Sequence, residues 1–425
     1  MAFVDQMLAQ LNTGELANSV QLLEKALQFD DPEELFAGAE QLGQAGFSQQ
    51  AAQIYQHLLD QYPQEDILKV NLAEIKISND QVDAATDLLA QVSPDSPAYL
   101  NALLVGADLY QTLGLYEVSE QKLQQAIHLA PKESVIQFAL AELYFNENKF
   151  AAALTFYEKL QSQGEKEISG IVISQRLAAV YAGLGQYEEA VQAYQQTPLA
   201  FLNADNLYNY ASLANKLERN SLTKKVLEQL FQLSPDYAPG YLLAAKLAFK
   251  QDQPDKALRF AQTGLSYDPF QVKLYKVGSQ AAQKLAEPET AVQLLQMGIK
   301  QVSENTALVL SLSSLYLKLG QDQTNLDLLA QFEKQLQDEP QAIWNRGRSE
   351  LHLDQITAAQ TDLLAVYQAY QADPVYLHDL ITVLQQGTQD KLPALKAALD
   401  KYLKLVPDDY EMDALAQELR GLDED

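Results

Sequence analysis

Small residues recur every 34 positions along most of this chain, and that spacing narrows the folds open to it more than any other feature. One series reads Ala39, Ala73, Ala107 and Ala141, then Ala178, Ala211, Ala245, Ser279, Ser313 and Gly347. Only two intervals depart from 34: one of 37 ahead of Ala178 and one of 33 behind it. The segment "GEKEISG" around Ser169 is expected to absorb the extra residues as a longer loop. A second series lies twelve residues later: Ala51, Ala85, Ser119, Ala153, Ala190, Thr223, Ala257, Ala291, Asn325 and Ala359. A third is proline, at Pro63, Pro97, Pro131, Pro235 and Pro269. Three series on one period mean one structural unit used many times.

The stretch "LAAVYAGLGQYEEAVQAYQQTP", from Leu177 to Pro198, shows what the unit is. It reads as two short helices around a Gly-Leu-Gly stop. Small residues on both helices let the backbones cross closely, and tyrosines such as Tyr110, Tyr144, Tyr181 and Tyr316 fill the space beside them. Gly46, Gly114, Gly185 and Gly320 end first helices, where a left-handed residue costs least for glycine. Proline opens the next unit because it has no N–H with which to continue a helix. One such hairpin cannot bury its apolar face, whereas stacked neighbours can. A 425-residue chain that is 47% hydrophobic is therefore expected to be an array growing lengthwise, not one globular core.

The pattern Leu-small-x-x-Tyr, then Ala-x-x-x-Phe/Tyr, then Pro, over 34 residues resembles the tetratricopeptide repeat. Leu177 to Pro198 carries it, as do Leu140, Ala141 and Tyr144 followed by Ala153 and Tyr157. The resemblance implies an all-α fold, an α-α superhelix (a TPR solenoid) of about eleven hairpins over residues 32–407. It also implies a right-handed superhelix with first helices lining the concave side. Residues 1–31 read as an N-terminal cap or degenerate repeat, and 408–425 as a C-terminal capping helix. The units near 66–97 and 272–303 lack the first-helix tyrosine, and the last unit has Ile381 or Thr382 at its small position.

Composition removes several classes of function. There is no cysteine, hence no disulfide, iron–sulfur cluster or thiolate zinc site, and a reducing, cytoplasmic setting is expected. The start "MAFVDQMLAQLNTGE" lacks a basic segment followed by an apolar one, so no secretory signal is expected, and no apolar run is long enough to insert in a membrane. The net charge of −27 argues against nucleic acid and anionic lipid as partners. No phosphate loop, dinucleotide fingerprint, His-Glu-x-x-His or nucleophile elbow is present. The histidines His57, His128, His352 and His378 lie in different repeats. No cofactor, metal or catalytic residue is expected.

The charge is uneven. Residues 1–200 hold 9 basic and 27 acidic side chains, residues 201–340 hold 14 and 15, and residues 341–425 hold 7 and 15. On the repeat frame, inner-facing positions lie one turn either side of the small residue of each first helix. In the early units these positions hold Phe36, Glu40, Val70, Glu74, Leu104, Asp108, Phe138, Glu142 and Phe145. From residue 238 onward they hold Lys246, Lys250, Lys273, Lys276, Lys284, Lys318, Trp344 and Arg348, among others. This basic stripe, with the chain's one tryptophan, is the expected peptide-binding site for a protein partner with an acidic segment. Some family members clamp a C-terminal carboxylate with lysines of consecutive first helices, but Leu104 and Phe138 stand at those positions here. The expected function is an adaptor that is not an enzyme. A sensor of a short signalling peptide and an accessory array for a separate catalytic chain are the alternatives.

Overall fold

The computed structural model describes residues 2–13, 18–303 and 305–421. The chain divides into two compact units, residues 1–198 and 199–425. Each is an all-α solenoid of stacked helical hairpins. The first unit pairs Phe3–Asn12 with Ser19–Phe29, Pro32–Gln44 with Ser48–Gln61, and Asp66–Ser78 with Val82–Ala90. It continues with Tyr99–Thr112 and Tyr116–Leu129, Ser134–Asn146 and Phe150–Ser162, and Ile173–Gly183 and Tyr187–Gln195. The second unit pairs Ala204–Lys216 with Asn220–Leu233, Ala238–Lys250 with Pro254–Tyr267, and Val272–Lys284 with Pro288–Gln301. Thr306–Lys318 and Asp322–Gln331, Pro340–His352 and Ile356–Ala365, and Pro374–Gln385 and Leu392–Leu405 complete it, followed by Tyr410–Gly421.

The small-residue series are where the helices cross. All ten members of the second series, Ala51 through Ala359, have 0% exposure. Larger side chains there would push the helices apart. The series prolines lie between hairpins, and the carbonyls of three of them become acceptors. Pro131 O accepts from Gln137 Nε2 (3.0 Å), Pro235 O from the Tyr241 hydroxyl (2.7 Å) and Pro269 O from the Tyr275 hydroxyl (2.9 Å). The same offset of six residues in each case ties the loop to the helix that follows it.

Three local findings refine the sequence reading. The "GEKEISG" segment is not an irregular loop. Glu167–Ile168 pairs antiparallel with Ile171–Val172 around Ser169 and Gly170, both with positive φ, as a tight hairpin turn requires. The helices Phe3–Asn12 and Ser19–Phe29 pack against each other as the helix pairs of the other units do. The Asp30 carboxylate accepts from the backbone N–H groups of Phe3 and Val4 (2.9 and 2.8 Å), and Val4 packs so closely on Gly38 that a Cβ there would lie 2.2 Å from its Cγ2. At the other end, Met412, Ala416 and Leu419 of the last helix share a buried cluster with Leu399 and Tyr402. Ile381, at the small position of the last hairpin, is fully buried in that cluster.

Candidate functional site

In the second unit, the helices Val272–Lys284 and Thr306–Lys318 border a groove of about 450 Å³. Lys276 and Lys318 face it from the two helices, with Gln280, Gln283, Ser311 and Ser314 between them, and Gln341 reaches it from the next hairpin. No carboxylate lines it among the described residues. Lys276 is half-buried and Lys318 exposed, and neither has an ion-pair partner among the described residues. Lys246 and Lys273 are exposed and likewise unpaired, but they do not line this groove.

The other residues of the basic stripe are engaged elsewhere. Lys250 Nζ donates to Glu218 at 2.6 Å, and Lys284 Nζ donates to Asp252 at 2.7 Å while lying 4.7 Å from the Phe249 ring centre. Both carboxylates are held below their usual range by these lysines. Glu218 and Asp252 stand at left-handed turn positions, φ 57° and 55°, between the helices of one hairpin. Each thus meets a lysine at the end of the first helix in the next hairpin, 32 residues on. These pairs are exposed, so they add little to stability, but they remove two charges from the stripe.

Trp344 lies in the core. It is buried against Tyr370 and Tyr376, with ring centres 4.7 and 5.5 Å away, and its Nε1 donates to Asp379 at 2.9 Å. Arg348 lies 3.2 Å from the same carboxylate. Burial pushes the Asp379 carboxyl above its usual range, against the hydrogen bond from Trp344 and the charge of Arg348. Of the eight expected residues, then, Lys276 and Lys318 share one groove. Lys246 and Lys273 are free on neighbouring surface, Lys250, Lys284 and Arg348 are paired, and Trp344 packs between hairpins.

Ser311, Ser314 and Gln341 are groove residues that the basic stripe in the sequence does not include. The repeat frame carried a signal for Ser314: it follows Ser313 as Gln280 follows Ser279 and Lys246 follows Ala245.

The inner positions of the first unit differ in sign. Glu40 and Glu74 line a cavity of about 360 Å³ with Tyr55 and Asn71. Burial, opposed by a hydrogen bond with Asn71 and aided by the two carboxylates, pushes the Tyr55 phenol up to about 12. Glu142 is satisfied within the unit by Arg176, whose Nε and Nη2 both donate to it at 2.8 Å. Among the described residues no helix is long and apolar enough to cross a membrane.

Comparison with known proteins agrees with this architecture. The family described as "YpiA-like, tetratricopeptide repeats" matches residues 111–165, and "YpiA-like, C-terminal tetratricopeptide repeats" matches 340–409. Two further tetratricopeptide repeat families match 44–105 and 173–196. The TPR repeat-containing protein YpiA of Bacillus subtilis (strain 168) is 28% identical over 399 residues, which is 93% of this chain and 94% of that protein. Among solved structures, the APC/C hetero-tetramer Cut9-Hcn1 aligns with a TM-score of 0.41 at 11% identity, over 97% of this chain and 95% of that one. YrrB, described as a TPR protein with an unusual peptide-binding site, aligns at 0.38 and 20% identity over 44% of this chain and 94% of its own. Helical hairpins recur on one 34-residue period, and tetratricopeptide repeat families match residues 44–105, 111–165, 173–196 and 340–409, so the chain is a tetratricopeptide repeat protein.

Proposed function

We propose that the chain is a cytoplasmic, non-catalytic adaptor that holds an acidic peptide segment of a partner protein in the groove bordered by Lys276 and Lys318. The observation that carries this reading is the pairing pattern. Lys250 and Lys284 are neutralised by carboxylates of the chain itself, whereas Lys276 and Lys318 converge on a groove with no counter-ion among the described residues. Two like charges facing one groove draw in an anionic ligand and set its orientation. Gln280, Gln283 and Gln341 supply amide donors and acceptors for a peptide backbone, and Leu310 gives a small apolar contact between them. Affinity then comes from a rigid, preformed groove, and choice of partner comes from charge. The cytoplasmic setting rests on the cysteine-free composition.

A random-peptide display selection on the full chain tests the proposal, run in parallel on a variant carrying Lys246→Glu, Lys273→Glu, Lys276→Glu and Lys318→Glu. Peptides selected by wild type are expected to be rich in Asp and Glu and to lose binding to the variant, which should keep its helical circular dichroism. Peptides without acidic residues, or ones that bind both proteins equally, would contradict it.

A further inference from the structure

The four tyrosines three residues after the small position, Tyr110, Tyr144, Tyr181 and Tyr316, share a slot in their hairpins. Tyr144 shows its anatomy. The ring stacks on Phe156, twelve residues on, with centres 5.9 Å apart. The hydroxyl reaches the second helix of the preceding hairpin, where it donates to Glu120 (2.7 Å) and accepts from Gln124 Nε2 (3.3 Å). Tyr316 repeats the arrangement by accepting from Gln296 Nε2 (3.0 Å), and the Tyr181 hydroxyl donates to Glu158 (2.8 Å).

In the hairpin of Ala238–Lys250 and Pro254–Tyr267 the tyrosine position holds Ala248. The rest of the slot is present. A cavity of about 320 Å³ is lined by Ala248, by Phe260 at the offset of Phe156, and by Lys224 and Glu228 at the offsets of Glu120 and Gln124. Phe231 forms a further wall, stacked on Tyr241 at 4.2 Å. For comparison, an apolar protein cavity of about 150 Å³ already accepts benzene. At Ala282, the next alanine in this position, the residue equivalent to Lys224 is Leu258, which is buried in one core cluster with Ala282. The slot at Ala248 instead has a polar, exposed rim, and no ion pair ties Lys224 to Glu228.

We propose that this slot receives a tyrosine side chain presented by a partner protein. The ring would stack on Phe260 as Tyr144 stacks on Phe156. The phenol would donate to Glu228 and accept from Lys224, both of which are otherwise left to water. That pair is what selects tyrosine over phenylalanine, since an apolar ring would strip water from two charged groups and return no hydrogen bond. The site shares no residue with the groove of Lys276 and Lys318, so it stands whatever binds there.

The test uses p-cresol, the side chain of tyrosine, with toluene as the apolar control. Binding to the full chain is read by saturation-transfer NMR and by the shifts of ¹³C-labelled alanine methyls, those of Ala244 and Ala248 included. Wild type is expected to bind p-cresol more tightly than toluene and to shift those two methyls. Ala248→Tyr fills the slot from within. It is expected to fold with an unchanged or higher melting temperature and to bind p-cresol about tenfold more weakly, the scale of one lost aromatic contact. Lys224→Ala with Glu228→Ala should erase the preference for p-cresol over toluene. Equal binding of p-cresol by wild type and Ala248→Tyr would overturn the proposal. So would equal affinity of wild type for the two probes, or failure of Ala248→Tyr to fold, which would mean that the slot does not have the shape of a tyrosine.

Discussion

Trp344 occupies the same repeat position as Leu242, Lys276 and Leu310, one turn ahead of the small residue. Those three are half-buried, whereas Trp344 is long enough to reach Tyr376 and Asp379 in the next hairpin and leaves the solvent. Spacing in the sequence gives the direction of a side chain but not how far its tip travels, so spacing alone places the tryptophan at the groove. Glu350 is a second residue whose surroundings are invisible in the sequence. It is buried, its Oε2 has no hydrogen-bond partner, and Arg346 is committed to Asp362, with Nη2 donating at 2.8 Å. Burial, with the negative charge of Asp362, pushes the Glu350 carboxyl up to about 7. Because this lies above the unfolded value, the folded state keeps the proton longer. The resulting stability is complete below about pH 4.5 and is lost as pH rises through 7. Glu350→Gln is therefore expected to raise stability at pH 8 by about 1–3 kcal/mol, with little change at pH 4. Urea unfolding at the two pH values checks this, and equal effects would refute it. Ser119 gives a simpler case: its hydroxyl is fully buried without a partner, at a position that is usually alanine in this chain. Ser119→Ala should stabilise by about 0.5–1.5 kcal/mol in the same assay.

The turn inside each hairpin is the element where sequence and structure diverge most instructively. Gly46, Gly114, Gly185 and Gly320 announce left-handed turns, and all four have positive φ. The same conformation recurs at Asp80, Asn148, Glu218, Asp252, Ala286 and Asp354, on the same period. In each turn the next residue's N–H donates back to the first helix, as Glu287 does to Ala282 O (2.9 Å) and Gln321 to Tyr316 O (2.9 Å). This bond satisfies a carbonyl that the helix end leaves free, so the turn geometry holds whatever the residue. The glycines alone were legible; the other six positions follow only from extending their register, and two of them supply the carboxylates that neutralise Lys250 and Lys284. Ala286 is the sharpest test. It is exposed at φ 57°, where its Cβ is strained and makes no compensating contact of the kind Asp or Asn can form. Ala286→Gly should stabilise by about 0.5–1 kcal/mol despite the added chain entropy, and Ala286→Val should destabilise. Chemical denaturation of the two variants decides it, and a loss of stability with glycine would contradict the strain.

At the scale of the molecule, the 34-residue period made the hairpins from Pro32 to Leu405 legible, because one hairpin's small residues must match its neighbour's. The charge asymmetry was legible too, but the groove was not. Which lysines stay free depends on turn carboxylates 32 residues away, and no single repeat contains both partners. The same asymmetry gives the central reading its most direct test, the salt dependence of association. Stopped-flow association of the tightest peptide from the display selection would be followed from low to physiological salt, near the range where screening lengths fall to about 10 Å. The wild-type rate should fall steeply with salt. The variant with Lys246, Lys273, Lys276 and Lys318 changed to Glu should associate more slowly and lose that dependence. Equal rates and equal salt slopes in the two proteins would mean that the groove lysines are ordinary surface charges and that the groove is not the binding site.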